Sequence, residues 1–309
     1  MAGVEARSGA YARSVVLLLT LTYTLNSADR TLIGILAQPL KLDLKLSDAE
    51  LGVLLGTAFA TLYAFSGLFI ARLAERLNRV MLISIALAVW SCLTMACGLA
   101  ATFPQLLLLR MGVGVGEAGC TPPAHSVICD YVPAERRSTA LSVYSCGISL
   151  GYILSALLGG YLTQKYGWRT ACVAVGLLGL PLSGVLARFV REPQRGYADG
   201  MQDKSLPPLA SGIRQEFKEF GPIAARLFGQ WSTGNVVIGV IIATFTAQGS
   251  YAYVPAYLNR AFALDYATIG VISALTGGVA VGVGLACGGY LTDRLGGVNP
   301  KWYELVPSI

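Results

Sequence analysis

The sequence predicts an all-α membrane protein: a helical bundle with a complete six-helix N-terminal half and two helices of a second half. Three observations carry this. Only 13% of the 309 residues are charged, where a soluble domain carries about 25%. The apolar residues make up 54% of the chain, giving a mean hydropathy of +0.60, and they gather in runs too long for a soluble core. The basic residues concentrate in alternate connecting segments.

Eight runs approach the roughly 20 apolar residues that a membrane-crossing helix needs. They are 14–40, 48–71, 80–101, 104–128, 138–163, 169–190, 232–258 and 266–290. Strands of a membrane barrel alternate apolar and polar residues over about 10 positions. Val15–Leu19 and Leu82–Val89 are almost continuously apolar instead, so helices are the reading. Arg7 and Arg13 ahead of the first run give it some likeness to a signal peptide. The run continues past Asp29 and Arg30 to Leu40 with no convincing small-residue cleavage site, so this helix is expected to stay.

The seven cysteines (92, 97, 120, 129, 146, 172 and 287) fall in spans or, for Cys129, at the edge of one, with no CxxC pair. They read as soft packing residues. His125 is the single histidine, so a His-based metal centre is not expected, and no cofactor is implied. There is no HExxH, no GxSxG and no carboxylate pair with a nucleophile, which argues against an enzyme. Gly114-Val-Gly116-Glu-Ala-Gly119 matches GxGxxG in letters. A dinucleotide site needs a preceding strand and a βαβ unit, and neither is predicted. Gly112 with Gly116, and Gly147 with Gly151, suit close helix packing in lipid.

Lys41, Lys45, Lys165, Arg169 and Arg260 fall in one set of loops, and most of the other 18 basic residues fall in the opposite set. Cytoplasmic loops carry such an excess. Both ends of the chain are therefore expected inside, in a multi-pass protein of the inner (plasma) membrane with a cytoplasmic N-terminus. The net charge of +6 is then topological, and no nucleic-acid partner is expected. The longest polar stretch, 191–231, separates an N-terminal half (1–190) from a partial C-terminal half (232–309). Ile213–Phe220 within it is either an amphipathic surface helix or a solvated linker.

An internal repeat links the two halves. Gly52 to Arg76 and Gly270 to Arg294 are offset by 218 residues. Both end in related loops, Ala71-Arg-Leu-Ala-Glu-Arg-Leu-Asn-Arg79 and Gly289-Tyr-Leu-Thr-Asp-Arg-Leu-Gly-Gly297. Pro39 and Pro255 precede them. Parallel repeats of this kind are common in transporters.

On these residues the chain resembles the major facilitator superfamily, whose loop between spans 2 and 3 reads G-x-L-x-D-R-x-G-R. The second copy fits through Gly289, Leu291, Asp293, Arg294 and Gly296. The first is degenerate, with Ala71, Glu75 and Asn78 in place of Gly, Asp and Gly. The resemblance implies a cytoplasmic latch or gate built from Glu75, Arg76, Arg79, Asp293 and Arg294; ordinary loop charge is the plainer alternative. It is closer still to the Spinster-like branch. That rests on Asn26-Ser-Ala-Asp-Arg30, Trp90-Ser91, Arg110-Met-Gly-Val-Gly-Val-Gly-Glu-Ala118, Pro122-Pro-Ala-His-Ser126, Asp130, Arg136-Arg137 and Gly167-Trp-Arg169.

Four ionisable residues fall within spans: Asp29, Arg30, Arg110 and Glu117. Even lenient scales charge about 2.5–3.5 kcal/mol for one at the bilayer centre. Arg110 and Glu117 are two turns apart, and Asn26 shares a face with Asp29 and Arg30. Each helix thus presents an acid and a base. The resemblance implies a proton-sensitive substrate cavity between spans 1 and 4. There Asp29 and Glu117 couple to protons, and Arg30, Arg110 and Asn26 hold an anionic group or restrain the acids. The alternative is a structural ion-pair cluster near a membrane surface.

Asp130 with Arg136 and Arg137 is expected to form a cytoplasmic cluster with a gating or topological role. Tyr63, Trp90 and Tyr144 line the cavity or pack. Gln248, Tyr251 and Tyr253 are weaker cavity candidates. His125 flanks the cavity or is structural. With the repeat aligned on its prolines, Asp29 falls opposite Phe245, so the coupling charges have no copy in the second half. The function expected is secondary transport by alternating access, proton-linked or facilitative. The expected partners are the bilayer, protons and a small amphipathic or anionic solute, lysolipid-like in one version, with no obligate protein partner. The chain ends where a ninth span would begin, so a truncated, transport-inactive product is the competing expectation.

Overall fold

The computed structural model describes residues 9–196 and 228–284, together with 221, 222, 225, 226 and 287. Arg7, the proposed helix at 213–220, Asp293, Arg294 and the rest of the second loop copy lie outside the described residues, as does 301–309. Among the described residues every regular element is helical.

Helix α1 runs Gly9–Ile35, and a short α2, Ala37–Asp43, continues the first span past Leu36. After a turn, α3 spans Asp48–Ala74. Ser47 caps it: its hydroxyl accepts from the Glu50 amide at 3.2 Å, and the Glu50 carboxylate accepts from the Ser47 amide at 2.8 Å, a capping box. Helix α4 is Arg79–Cys97, capped by Asn78. The fourth span is broken into α5, Phe103–Glu117, and α6, Thr121–Tyr131. Pro122 and Pro123 fall in the first turn of α6, where a missing amide hydrogen is tolerated. Helix α7 begins Ala134–Leu154 and continues to Tyr166. Gly167, at φ 86°, turns the chain into α8, Trp168–Phe189; only glycine takes that angle freely. Helix α9 is Trp231–Phe262, and α10 begins at Tyr266 and runs to Gly284.

Six of these are long and apolar enough to cross a membrane: α3, α4, α7, α8, α9 and α10. The two spans that fall short are the first, which is too polar, and the fourth, which is broken. These are the spans that carry Asp29, Arg30, Arg110 and Glu117.

The expected glycine pairs lie at crossings. A Cβ on Gly147 or Gly151 of α7 would run into the α1 backbone at Thr20, Thr24 and Ala28. A Cβ on Gly116 would stand 3.0 Å from that of Trp90. The repeat also has a backbone signature. Lys45 and Ala263 are offset by 218 and adopt left-handed angles of 53° and 54°, at a penalty of roughly 1–2 kcal/mol each. Each precedes a helix cap by two residues, Ser47 and Asp265.

Among the described residues three helices contain a π-turn: Val53–Thr57 in α3, Ser155–Gly159 in α7 and Ala274–Val279 where α10 continues. All three lie near the end of the bundle that holds the α2–α3, α7–α8 and α9–α10 turns. The described contacts between the first six spans and the α9–α10 pair gather towards the same end. Gln164 accepts from the Tyr266 amide at 3.1 Å, and a Cβ on Gly160 would stand 3.1 Å from Gly270 Cα. At the other end, residues of α9 such as Trp231, Val236 and Val240 are exposed.

Two apolar clusters fill the first six spans. One joins Val15, Leu19, Trp90, Val113, Val127 and Tyr144. The other joins Leu32, Leu36, Leu40, Cys97, Leu106 and Trp168. Along α1, α4 and α5 the two are separated by Asp29, Thr94 and Arg110. The polar layer therefore sits at mid-height, between the two clusters, and not near an end of the bundle.

Candidate functional site

The helix crossings bring the four spanned charges together in two crossed pairs. Arg30 Nε on α1 lies 2.6 Å from Glu117 Oε2 on α5. Arg110 Nη1 on α5 lies 3.3 Å from Asp29 Oδ1 on α1. Each helix supplies one acid and one base, and each acid meets the base of the other helix. Glu117 is completely buried, and Asp29 and Arg110 nearly so. A buried ion pair offsets its own desolvation only when its remaining polar atoms are also satisfied. Thr94 on α4 does part of this, its hydroxyl donating to Asp29 Oδ2 at 2.6 Å. Others are left over: Glu117 Oε1, Arg30 Nη2, Arg110 Nε and both amide atoms of Asn26 have no protein partner. Asn26 is fully buried.

A cavity of about 550 Å³ opens beside this layer. Its wall is drawn from α1, α3, α5, α7 and α9, and both Arg30 and Arg110 reach it, whereas Asp29, Glu117 and Asn26 do not. The carboxylates stand behind the arginines. The Arg30 guanidinium lies 4.3 Å from the Tyr63 ring centroid and 5.4 Å from that of Phe59, and Arg110 lies 5.5 Å from Phe59. Cations over aromatic faces in a desolvated site gain up to about 2 kcal/mol or more. Gln248, Tyr251, Tyr253 and Phe245 of α9 line the far wall. Tyr63 joins the lining, while Trp90 and Tyr144 are packed in the core. His125 meets the Tyr144 ring edge-on at 5.2 Å, away from the cavity.

The charged residues at the opposite end form a second cluster centred on Arg79, only 1% exposed. Its guanidinium donates to Asp130, to Glu192 Oε1 and Ser126 Oγ at 2.6 Å each, and to the Pro193 carbonyl at 3.0 Å. Asp130 also accepts from the Gly196 amide at 2.9 Å. The expected grouping of Asp130 with Arg136 and Arg137 is therefore replaced. Arg137 donates to the Cys129 and Val132 carbonyls, the free acceptors at the end of α6. Arg136 is exposed. Glu75 pairs with Arg72 one turn away, at 2.8 Å. The chain thus folds back after α8 as a strap, 191–196, across the α3–α4 loop, which Arg195 reinforces through the Ala74 and Leu77 carbonyls.

Thr94, Phe59 and Glu192 were not singled out in the sequence. Nothing local distinguishes them: a threonine and a phenylalanine in apolar helices, and a glutamate in a loop.

The sequence profile of the Major Facilitator Superfamily matches residues 19–306. The chain is 34% identical over 291 residues to an MFS-type efflux pump of Mycolicibacterium smegmatis, covering 92% of this chain and 63% of the pump. It is 25% identical to a probable L-galactonate transporter of Escherichia coli, covering 93% and 63%. The fold matches a bacterial homologue of the human lysosomal transporter Spinster in its inward-facing, occupied conformation. That match has a TM-score of 0.77 at 35% identity, over 96% of this chain and 63% of the other. The unoccupied inward-facing form gives 0.75 at 36%. The chain thus spans a little under two thirds of the length of these relatives.

Proposed function

Since the chain belongs to the Major Facilitator Superfamily, a family of multi-pass membrane transporters and not of enzymes, we propose that it serves alternating-access transport of a small anionic or amphipathic organic solute, linked to protons. The observation that carries this reading is the crossed pairing itself. Two acid–base pairs cross from α1 to α5 at mid-height, and the two bases face a cavity. Buried intramembrane charges are expensive, so they are kept for substrate or ion pathways. In this reading Arg30 and Arg110, which both line the cavity, receive the anionic group of the solute. Asp29 and Glu117 behind them take up protons as the arginines turn to the solute. Asn26, fully buried on α1 with both amide atoms unpartnered, supplies a further polar group beside the pairs.

The substrate class is argued from the same wall. Two guanidiniums framed by aromatic rings suit a carboxylate or phosphate attached to an apolar or ring body. Relatives named for transporting L-galactonate, hexuronate and cis,cis-muconate are consistent with an organic acid, and a lysolipid-like solute is a version with the same anion on a longer apolar body. The moving parts are residues 1–190 and the body that begins at 232, joined through 191–231. With the N-terminus cytoplasmic in the plasma membrane, contacts between the bodies lie on the outer side, which makes this an inward-facing arrangement. Glu75, Arg76, Arg79, Asp130, Arg136, Asp293 and Arg294 then belong to the cytoplasmic gate.

The test is flux in proteoliposomes with an imposed pH gradient, using a panel of sugar acids, aromatic acids and lysophospholipids. Uptake that follows the gradient and is lost in Arg30→Gln supports the proposal. Absence of flux from the 309-residue chain, with flux from a twelve-span relative, favours the competing reading of a transport-inactive membrane protein.

A further inference from the structure

The end of the bundle where α2 meets α3 and α9 meets α10 carries a charge arrangement that the buried layer does not use. Asp48 is the first residue of α3. Its Oδ1 accepts Lys41 Nζ, from α2, at 2.7 Å and Arg260 Nη2, from the last turn of α9, at 2.9 Å. One oxygen therefore serves two cations, one from its own side of the cavity and one from the other. Arg260 Nε also donates to Gln38 Oε1 at 2.7 Å. The Ser47–Glu50 capping box fixes the first turn of α3 independently of Asp48, so the acceptor is held still while α9 brings the donor to it.

We propose that Asp48 is a shared acceptor that latches α9 to the α2–α3 corner, and that Lys41 is the partner it keeps when Arg260 departs. Two cations on one oxygen repel each other, so each weakens the other's hold. A carboxylate that retains Lys41 is never left uncompensated when the latch opens. Such a latch closes specifically and opens readily. The inference rests on the reading that the two bodies move relative to one another.

The two flanking cations therefore have opposite effects. Removing Asp48 leaves only the Arg260–Gln38 hydrogen bond and weakens the latch. Removing Lys41 leaves Arg260 as the only partner and tightens it. The experiment places fluorophores, through unnatural amino acids, at the exposed positions Leu42 and Phe262 and follows single molecules in nanodiscs. The ratio of short-distance to long-distance molecules is read for each variant. Asp48→Asn is expected to lower it about two- to five-fold, the range of an exposed ion pair, and Lys41→Gln to raise it by a similar factor. Asp48→Asn should add nothing in an Arg260→Gln background. Raising salt to about 1 M, where screening acts within about 3 Å, should mimic Asp48→Asn and leave that variant unmoved. A Lys41→Gln ratio that falls or stays put overturns the latch, and so does one unchanging distance in every variant. Flux is scored separately: shifted ratios with no uptake by any variant would uphold the latch and sink the transport reading.

Discussion

Arg30 and Glu117 form a pair with one exposed and one hidden end: the guanidinium is 31% exposed and reaches the cavity, while the carboxylate 2.6 Å away is fully enclosed. A solute that draws Arg30 toward the cavity leaves Glu117 without its counter-charge. Glu117→Gln removes that response, because an amide does not titrate. On the proposed transport reading, the same change in a full-length relative gives uptake whose rate no longer changes with external pH, measured in proteoliposomes from pH 5 to 8. A pH profile that matches the unaltered protein would remove Glu117 from the coupling role.

Thr94 is the hydroxyl behind Asp29. Thr94→Val keeps the shape and deletes the hydrogen bond to Oδ2. A hydrogen bond to a charged group contributes about 1.5–3 kcal/mol, so the loss should appear as a lower midpoint in detergent unfolding. Asp29→Asn should be worse, about 3–5 kcal/mol, because it strands Arg110 in a buried site. If Thr94→Val were neutral, the Asp29 carboxylate would be held by Arg110 alone.

Glycines separate into those at contacts and those facing open space. Gly151→Leu should destabilise by about 1–3 kcal/mol or block folding, since a side chain there meets Ser27 Cβ and Ala28 N of α1 at 2.6 and 2.8 Å. Gly67→Ala meets nothing within 4 Å and should stabilise α3 by about 0.5–1 kcal/mol. Thermal denaturation in a fixed detergent orders the two.

Arg79→Gln should loosen the strap at 191–196. Asp130 and Glu192 lose their shared cation, and the loss falls in the range of about 3–5 kcal/mol for breaking a buried pair. Limited proteolysis is the direct readout: cleavage near Arg191 and Arg195 should speed up markedly. All of the described partners of Arg79 belong to the first six spans or to the strap after them. The strap therefore braces one body, and any gating role must work through that body.

Asp43 on the opposite end offers an acid-sensitive contact. The Arg169 hydrogen bond, helped by Trp168, holds its carboxyl below the ordinary aspartate value. Because the folded state favours the ionised form, the contribution is present above that value and is lost as pH falls through the folded one. Stability should therefore be insensitive to this contact from pH 5 to 8 and drop below about pH 4. Asp43→Asn should blunt the drop; a drop of unchanged size would assign it to other carboxylates.

Much of the fold is legible in the sequence because apolar runs and loop charge are summed over many residues. Among the described residues helices occupy all eight expected runs, and six of them are long and apolar enough to cross a membrane. The details that were missed depend on single residues. The fourth span reads as one run, 104–128, yet it breaks after Glu117, where Pro122 and Pro123 begin a new helix. The repeat is visible as a 218-residue offset, but the left-handed backbone at Lys45 and Ala263 is not, since neither residue type advertises it. The four charges of the site announced themselves by being costly in a membrane. Their crossed pairing did not, because spacing along a helix says which residues share a face and not which helix lies opposite. The exchange of Arg136 for Arg79 as the partner of Asp130 has the same cause.

The π-turn in α3 has a consequence for what one helix can touch. Each extra residue in a helical turn rotates everything beyond it by about 100°. Ahead of the turn, Leu51 packs with Ala37 and Ala256. Beyond it, Phe59 and Tyr63 stack on the arginines. The inserted residue lets a single rod address two neighbours that a regular helix would not reach together. Deleting Leu55 would remove that offset and swing the aromatic rings off the guanidiniums, leaving a well-formed helix whose two ends no longer agree on which way to face.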